Sequence, residues 1–333
     1  MMTGITVRPL RAADLEPARW VIFRAYLEVL LQLYGPAAAS QYAVRSPAFM
    51  ALYLRRDAHG CFAAAAGDGT IVGAVFCFAW GEVGWFGSLA VAPEWQGRGV
   101  GQALTGRAVA YLEARGCRRI GLETWPESPA VHHLYSKFGF GPCRPTIKLA
   151  RAAAEAAPGA GWTPRWTPAG EAARLAGALE GARRVQAALH AAAPDEPRAD
   201  YGAEIAAAVE AGFADLLLLR GPDGDPAAFA LCYVRQPSGD PVSALDVRLL
   251  AAVPGQREAA ALDAAVAACD GRAAALGLER VTYDVNLRHA RAAALLRARG
   301  FRPVYELLRM ERPLAGFDAM ARTPLIDCAR WAG

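Results

Sequence analysis

The stretch Ser88-Leu89-Ala90-Val91-Ala92-Pro93-Glu94-Trp95-Gln96-Gly97-Arg98-Gly99-Val100-Gly101-Gln102-Ala103-Leu104 decides the fold. An apolar strand stops at Pro93, a glycine-rich turn follows, and a helix begins near Gly101. Glycine lets the backbone take positive φ and come close to a ligand. At the start of a helix the unpaired N–H groups and the helix dipole together favour an anion, and Arg98 adds a positive charge. A dinucleotide loop would read G-x-G-x-x-G after a first strand, with an acidic residue about 20 positions later. Here the spacing is G-x-G-x-G and the strand comes late in its domain. A P-loop would need Gly-Lys-Ser/Thr, which is absent.

Working outward, Trp85–Val91 reads as a strand and Gly101–Arg115 as a helix. Cys61–Ala66 and Ile71–Trp80 flank the turn Asp68-Gly69, a hairpin signal. Upstream, Trp20, Phe23, Leu27, Leu30, Leu31 and Tyr34 recur at helical spacing over Pro17–Tyr34. A second helix covers Phe49–Leu54, with Ser46 as its cap and Pro47 at its first position. This order predicts a mixed α/β sheet with helices on both faces. The same order then recurs. The turns Asp68-Gly69 and Asp223-Gly224 lie 155 residues apart. The strands Arg119–Trp125 and Arg280–Asn286 lie 161 apart, as do Gly139-Phe140 and Gly300-Phe301. A tandem duplication produces that pattern. The boundaries follow: a first domain at 1–150, a linker rich in Ala, Pro and Gly at 151–168, a second domain at 169–312, and a tail at 313–333 containing Trp331.

The bulk composition narrows the function classes. A chain of 333 residues suits two domains, each able to bury a core. A net charge of +4 with no Lys/Arg run argues against a nucleic-acid partner. No segment approaches the roughly 18 apolar residues of a membrane span, and the amino terminus lacks the apolar core of a signal peptide. Seven cysteines, scattered without a C-x-x-C pair, fit reduced thiols in the cytoplasm. A soluble cytoplasmic protein, monomeric or homodimeric and without a metal, is expected. Cys117 and Cys143 have no histidine at the spacing of a nucleophile's base. His132 and His133 have no metal-like partner set and read as surface or packing residues.

The string V-x-P-x-x-Q-G-R-G-V-G-x-x-L resembles the acetyl-coenzyme A motif of the GCN5-related N-acetyltransferases, Q/R-x-x-G-x-G/A. The downstream run Leu122-Glu123-Thr124, Ala130, Leu134-Tyr135 and Gly139-Phe140 resembles that family's second signature at matching spacing. Together they span about 60 residues, and the hairpin and opening helix extend the likeness over residues 1–150. The resemblance implies two tandem acyl-CoA N-acyltransferase domains and acetyl-CoA as cosubstrate. Backbone groups of Leu89, Ala90 and Val91 would pair with the pantetheine arm. The turn Gln96, Gly97, Arg98, Gly99, Val100, Gly101 and Gln102 would hold the pyrophosphate. Tyr135 matches the tyrosine that protonates the leaving thiolate. Ser128 stands where many members carry a cofactor-binding asparagine. The general base stays open between Glu123, Glu82 and water; Glu123 matches a glutamate that serves as base in ribosomal-protein amino-terminal acetyltransferases, and Glu127 is a weaker candidate.

In the second half, Arg257 and Ala259 stand where the first has Gly99 and Gly101, and Glu258 adds an unfavourable charge. Leu296 replaces Tyr135, and Asp284 replaces Glu123. The second domain is therefore read as degenerate: it keeps the fold, binds acetyl-CoA weakly or not at all, and covers a sheet edge or shapes the acceptor pocket. The expected reaction is direct attack of a primary amine on acetyl-CoA in a ternary complex. Most of the aromatic residues around the opening helices (Trp20, Phe23, Tyr26, Tyr34, Tyr42, Phe49, Tyr53) and of Trp85 and Phe86 on the strand are expected in the core, with a few forming an apolar or cation-stacking pocket for a small-molecule amine. A protein amino terminus or lysine is the alternative acceptor, and a non-catalytic acetyl-CoA sensor is the alternative class.

Overall fold

The computed structural model describes residues 4–313, so Trp331, Cys328 and nearly all of the expected tail lie outside it. The first half runs β1 (Ile5–Pro9), α1 (Leu15–Ala39), α2 (Pro47–Arg56), β2 (Cys61–Ala66), β3 (Ile71–Trp80), β4 (Val83–Phe86), β5 (Ala90–Val91) and α3 (Val100–Ala114). It continues with β6 (Arg119–Thr124), α4 (Pro129–Ser136), β7 (Gly141–Pro142) and β8 (Thr146–Ala152). The second half runs β9 (Thr163–Thr167), α5 (Ala172–Ala192), α6 (Gly202–Glu210), β10 (Ala214–Arg220), β11 (Pro226–Arg235) and β12 (Pro241–Ala252). It ends with α7 (Glu258–Ala275), β13 (Arg280–Asn286), α8 (Ala290–Ala298) and β14 (Arg302–Pro313). The repeat read from the sequence is thus present as two mixed α/β units in tandem.

Local chemistry explains the elements. The Ser46 hydroxyl accepts from the Phe49 amide at 3.1 Å and starts α2 with Pro47 in its first turn. The helix expected to stop at Tyr34 breaks at Gly35, whose φ is 77°, before one further turn. Val100, Leu104, Ala108 and Leu112 form one buried stripe along α3, set down against β3. β2 and β3 are buried on both faces because helices cover each side of the sheet, so they read as unbroken apolar runs rather than alternating ones.

The strand order is β1-β2-β3-β4-β6-β14-β8-β13-β12-β11-β10-β9, with β5 on β3 and β7 on β14. One fourteen-stranded sheet therefore crosses both halves, and at its centre the last strands are exchanged. β14 lies antiparallel against β6 of the first half, and β8 lies antiparallel against β13 of the second. β8 and β14 also pair with each other. β8 runs through residue 150, so the strand that closes the first repeat belongs to the sheet of both.

Three cores result. One lies between β2, β3, α3 and α4, and a second between β11, β12, β13 and α7. The third is shared: α1 and α2 of the first half meet α5 and α6 of the second. Phe49 packs edge-on against Phe213 at 5.3 Å, and Trp80 packs on Tyr201 at 5.2 Å. Within it Arg56 pairs with Glu204 at 2.8 Å, both side chains almost wholly buried.

Candidate acetyl-CoA site

The strand expected over Trp85–Val91 is interrupted. β4 ends at Phe86, and pairing resumes only at Ala90 in β5. β4 runs parallel to β6 over Val83–Trp85 alone, after which the two strands part. Where they part a cavity of about 460 Å³ opens. Phe86, Gly87, Leu89, Ala90 and Val91 form one wall; Glu123, Thr124 and Trp125 form the other. The Gly87 amide still donates to the Phe76 carbonyl at 2.9 Å, while Ser88 and Leu89 belong to no strand where the gap opens.

The glycine turn closes one end. Gly97 and Gly99 have φ of 70° and 83°, values that glycine adopts without the strain a side chain brings. Gly99 caps α3, whose first-turn amides have no partner within the helix. Gln96, Gly97, Gly99, Gly101 and Gln102 all line the cavity. The Gln96 side chain also donates to the Val91 carbonyl at 3.1 Å, tying the turn to β5. Val100 turns its side chain into the core, leaving only its backbone to the turn. Arg98 is exposed, its guanidinium over the Trp95 ring at 5.2 Å, and does not line the cavity.

Tyr135, on α4, lines the same cavity. Its ring packs edge-on against Phe86 and Phe140, centroids 5.9 and 6.2 Å away. Burial, helped by Tyr26, pushes its phenol well up, so the hydroxyl keeps its proton. Ser128 is the residue before α4, and its carbonyl accepts from Val131 and His132; it does not line the cavity.

Glu123 borders the cavity, but its side chain has no solvent exposure. Arg309 donates to Oε1 from Nε at 3.2 Å and from Nη2 at 3.0 Å, and the Thr146 hydroxyl donates to the same oxygen. Oε2 is buried without a hydrogen-bond partner. Burial raises this carboxyl above its usual range, and the facing Arg309 opposes that rise. Glu82 is elsewhere. It sits in the turn between β3 and β4, where its carboxylate accepts from the Arg198 amide at 2.9 Å and approaches Arg118 at 3.6 Å. Three residues of β4 separate it from the cavity-lining Phe86, because the chain enters that strand at the end remote from the break. Glu127 accepts from the Tyr34 hydroxyl at 3.0 Å.

Of the aromatic residues expected near an acceptor, Tyr26 and Phe86 reach the cavity, while Phe49, Tyr53 and Trp85 are core. Trp20 and Tyr34 are exposed. His133 lines the cavity, whereas His132 donates from Nε2 to the Trp125 carbonyl at 3.0 Å. Burial pushes the Cys117 and Cys143 thiols up to about 11, which leaves them poor nucleophiles. The reading of the sequence missed Thr124, Trp125 and Lys137 as lining residues, and missed Arg309 altogether. Arg309 has no motif of its own. The signal available was the repeat, since Arg309 stands 161 residues after Lys148, as Asp284 stands after Glu123.

At the corresponding point of the second half, Arg257 precedes α7 with right-handed backbone, φ −95°, and pairs with Asp223 at 2.9 Å. Glu258 approaches Arg291 at 3.4 Å. β12 continues as one strand to Ala252, with a register shift at Arg248 in place of the break that opens the first half, and pairs with β13 only through Val247. Among the described residues no helix is long and apolar enough to cross a membrane, and no group of three His, Cys, Asp or Glu is placed to share a metal ion.

Comparisons with known proteins agree with this architecture. Residues 26–140 match the model of the Acetyltransferase (GNAT) family. A search of curated proteins gave no match. Among solved structures, the chain is similar to a Pyrococcus horikoshii protein described as an acetyltransferase, at 17% identity and a TM-score of 0.62, covering 97% of this chain and 93% of that one. A tandem GNAT protein from the clavulanic acid biosynthesis pathway is 16% identical with a TM-score of 0.57, covering 94% and 100%. A GCN5-related N-acetyltransferase from Sphaerobacter thermophilus is 16% identical with a TM-score of 0.54, covering 98% of each chain. At these identities the likeness speaks for the fold, while the family model speaks for the first half. Residues 26–140 therefore match the GNAT acetyltransferase family, and the chain as a whole shares the fold of tandem GNAT proteins.

Proposed function

We propose that this protein transfers the acetyl group of acetyl-CoA to a primary amine, with a small molecule as acceptor, in a ternary complex. The observation that carries the reading is one cavity bordered by the glycine turn, the interrupted strand and Tyr135 together. A polyanionic cosubstrate fits the unpaired amides at the start of α3, and an amide-bearing arm fits the Leu89–Val91 backbone on the side of β5 away from β3. Acetyl-CoA supplies the acyl group as an activated thioester. The amine nitrogen forms a bond to the acyl carbon as the carbon–sulfur bond breaks. Tyr135 gives its phenolic proton to the departing sulfur, and its raised pKa suits a group that must arrive protonated. Glu123, through the unpartnered Oε2 and directly or by way of one water, takes the proton the amine loses.

Catalysis is assigned to residues 1–150, joined by 151–168 to a second domain at 169–312 that holds no acetyl-CoA. The arginine at position 257, where the first half has Gly99, supports that assignment because it lacks the left-handed cap. The six cysteines among the described residues are all free, which supports a reducing, cytoplasmic setting. The acceptor end is bordered by Ala25, Tyr26 and Val29 of α1, which favour an apolar body behind the amine. The deciding experiment is a thiol-release assay over a panel of amines. Amine-dependent release of free coenzyme A is expected; acetyl-CoA binding with no release for any amine would make the protein a sensor.

A further inference from the structure

The repeat places two ion pairs in equivalent positions. In the first half Glu123 on β6 faces Arg309 on β14; in the second, Asp284 on β13 faces Lys148 on β8. Each pair is directly cross-strand, and each joins a residue of one half to a strand delivered by the other. Exchange of the last strands therefore also exchanges the cations. Lys148 approaches Asp284 at 3.1 Å and Asp246 at 2.7 Å, in a cluster that Arg248 and Thr282 complete. Arg309 instead stands against the cavity-lining Glu123, its guanidinium over the Trp85 ring at 4.8 Å and both its Nε and Nη2 on Glu123 Oε1.

All donors to Glu123 converge on that one oxygen. Thr146 supplies the third, and its own hydroxyl oxygen accepts from Asn286 Nδ2 at 3.1 Å, which turns the hydroxyl proton toward the carboxylate. Asn286 belongs to β13, so the second half acts on Glu123 twice, once directly and once through Thr146. A carboxylate gripped at one oxygen has its χ angles fixed and its other oxygen left for a partner that is not part of the protein.

We infer that Arg309, carried into the first half by β14, is a positioning residue for the acetyl transfer: it fixes Glu123 by Oε1 so that Oε2 receives the amine's proton. The inference rests on the transfer reaction proposed above. It gives the second half a chemical duty in a reaction whose cofactor it does not hold. The charged and hydrogen-bonding groups facing Glu123 are Arg309 from β14, Thr146 from β8 and Asp284 from β13, with the Trp85 ring from β4 behind the arginine. Arg309 and Thr146 favour the ionised form, and Asp284 opposes it. Removing the arginine removes the largest favourable partner, and the carboxyl then holds its proton to higher pH.

The test is the pH dependence of kcat/KM for the amine, with full-length wild type and the variants Arg309→Met, Arg309→Lys and Lys148→Met. The acid limb should move up by about 1–3 pH units in Arg309→Met, the range for loss of an adjacent cation. It should lie between wild type and Met in Arg309→Lys, and move by much less in Lys148→Met, where only the small repulsion from Asp284 is left uncompensated, with KM for acetyl-CoA unchanged throughout. A wild-type limb in Arg309→Met overturns the inference; if the methionine variant does not fold, a wild-type limb in Arg309→Lys does so. An equal shift in Lys148→Met also overturns it, since the effect would then be structural. A wild-type protein that acetylates no amine refutes the underlying reaction instead.

Discussion

Tyr135 and Glu123 are both pushed by burial toward their neutral forms, with opposite consequences. A tyrosine that donates a proton is helped, because it stays protonated across the working range. A glutamate that accepts one is hindered at low pH, because it becomes a carboxylate only above its raised pKa. Activity should therefore rise with pH through a limb lying above the ordinary carboxylate range of about 4.3. Glu123→Gln should remove that limb and lower kcat by about 10²–10⁴-fold, the usual contribution of a general base. Tyr135→Phe should lower kcat with KM for acetyl-CoA unchanged, as read by steady-state thiol release. A Tyr135→Phe protein that loses cofactor affinity but not turnover would assign the hydroxyl to binding alone.

The elements that matter most are a turn and a break. Gly99 sits at a φ of 83°, where alanine costs about 1–2 kcal/mol, and it lines the site. Gly99→Ala should weaken acetyl-CoA binding about tenfold, measured by calorimetric titration, while the melting temperature changes little. At Gly121 the constraint is packing instead: a Cβ there would come within 2.1 Å of the Trp85 ring, the surface on which Arg309 rests. The second half has an unbroken β12 and an arginine before α7. Titration of the whole chain should accordingly give one acetyl-CoA per chain. Two sites of similar affinity would refute the loss of the second.

Across the whole molecule, the exchanged strands and the shared core make each half depend on the other. A chain ending before β14 would expose the edge of β6 and leave the Glu123 carboxylate without its arginine, so the isolated first half should lose both solubility and turnover. Arg56→Met tests the shared core. It strands Glu204, whose side chain is wholly buried, and should cost about 3–5 kcal/mol in denaturant unfolding. A cost below about 1 kcal/mol would mean that the halves fold as independent units.

The elements were legible in the sequence because their signals are local: the cap at Ser46, the Asp-Gly turns, the helical spacing along α1 and the glycine turn before α3. The tandem architecture was legible too, since a duplicated order of elements survives loop insertions. The sequence by itself also told the halves apart, because the residue that replaces Gly99 changes which backbone angles are allowed. What it did not determine was partnership across the chain. Strand pairing is a contest among edges of similar chemistry, and a strand such as β14 fits β6 or β13 equally well by pattern. Only the packing of α1 and α2 against α5 and α6 brings the two sheets side by side, and that decides which edge each last strand joins. The same packing separates Glu82 from the cavity and sets Arg309 beside Glu123, 186 residues away along the chain.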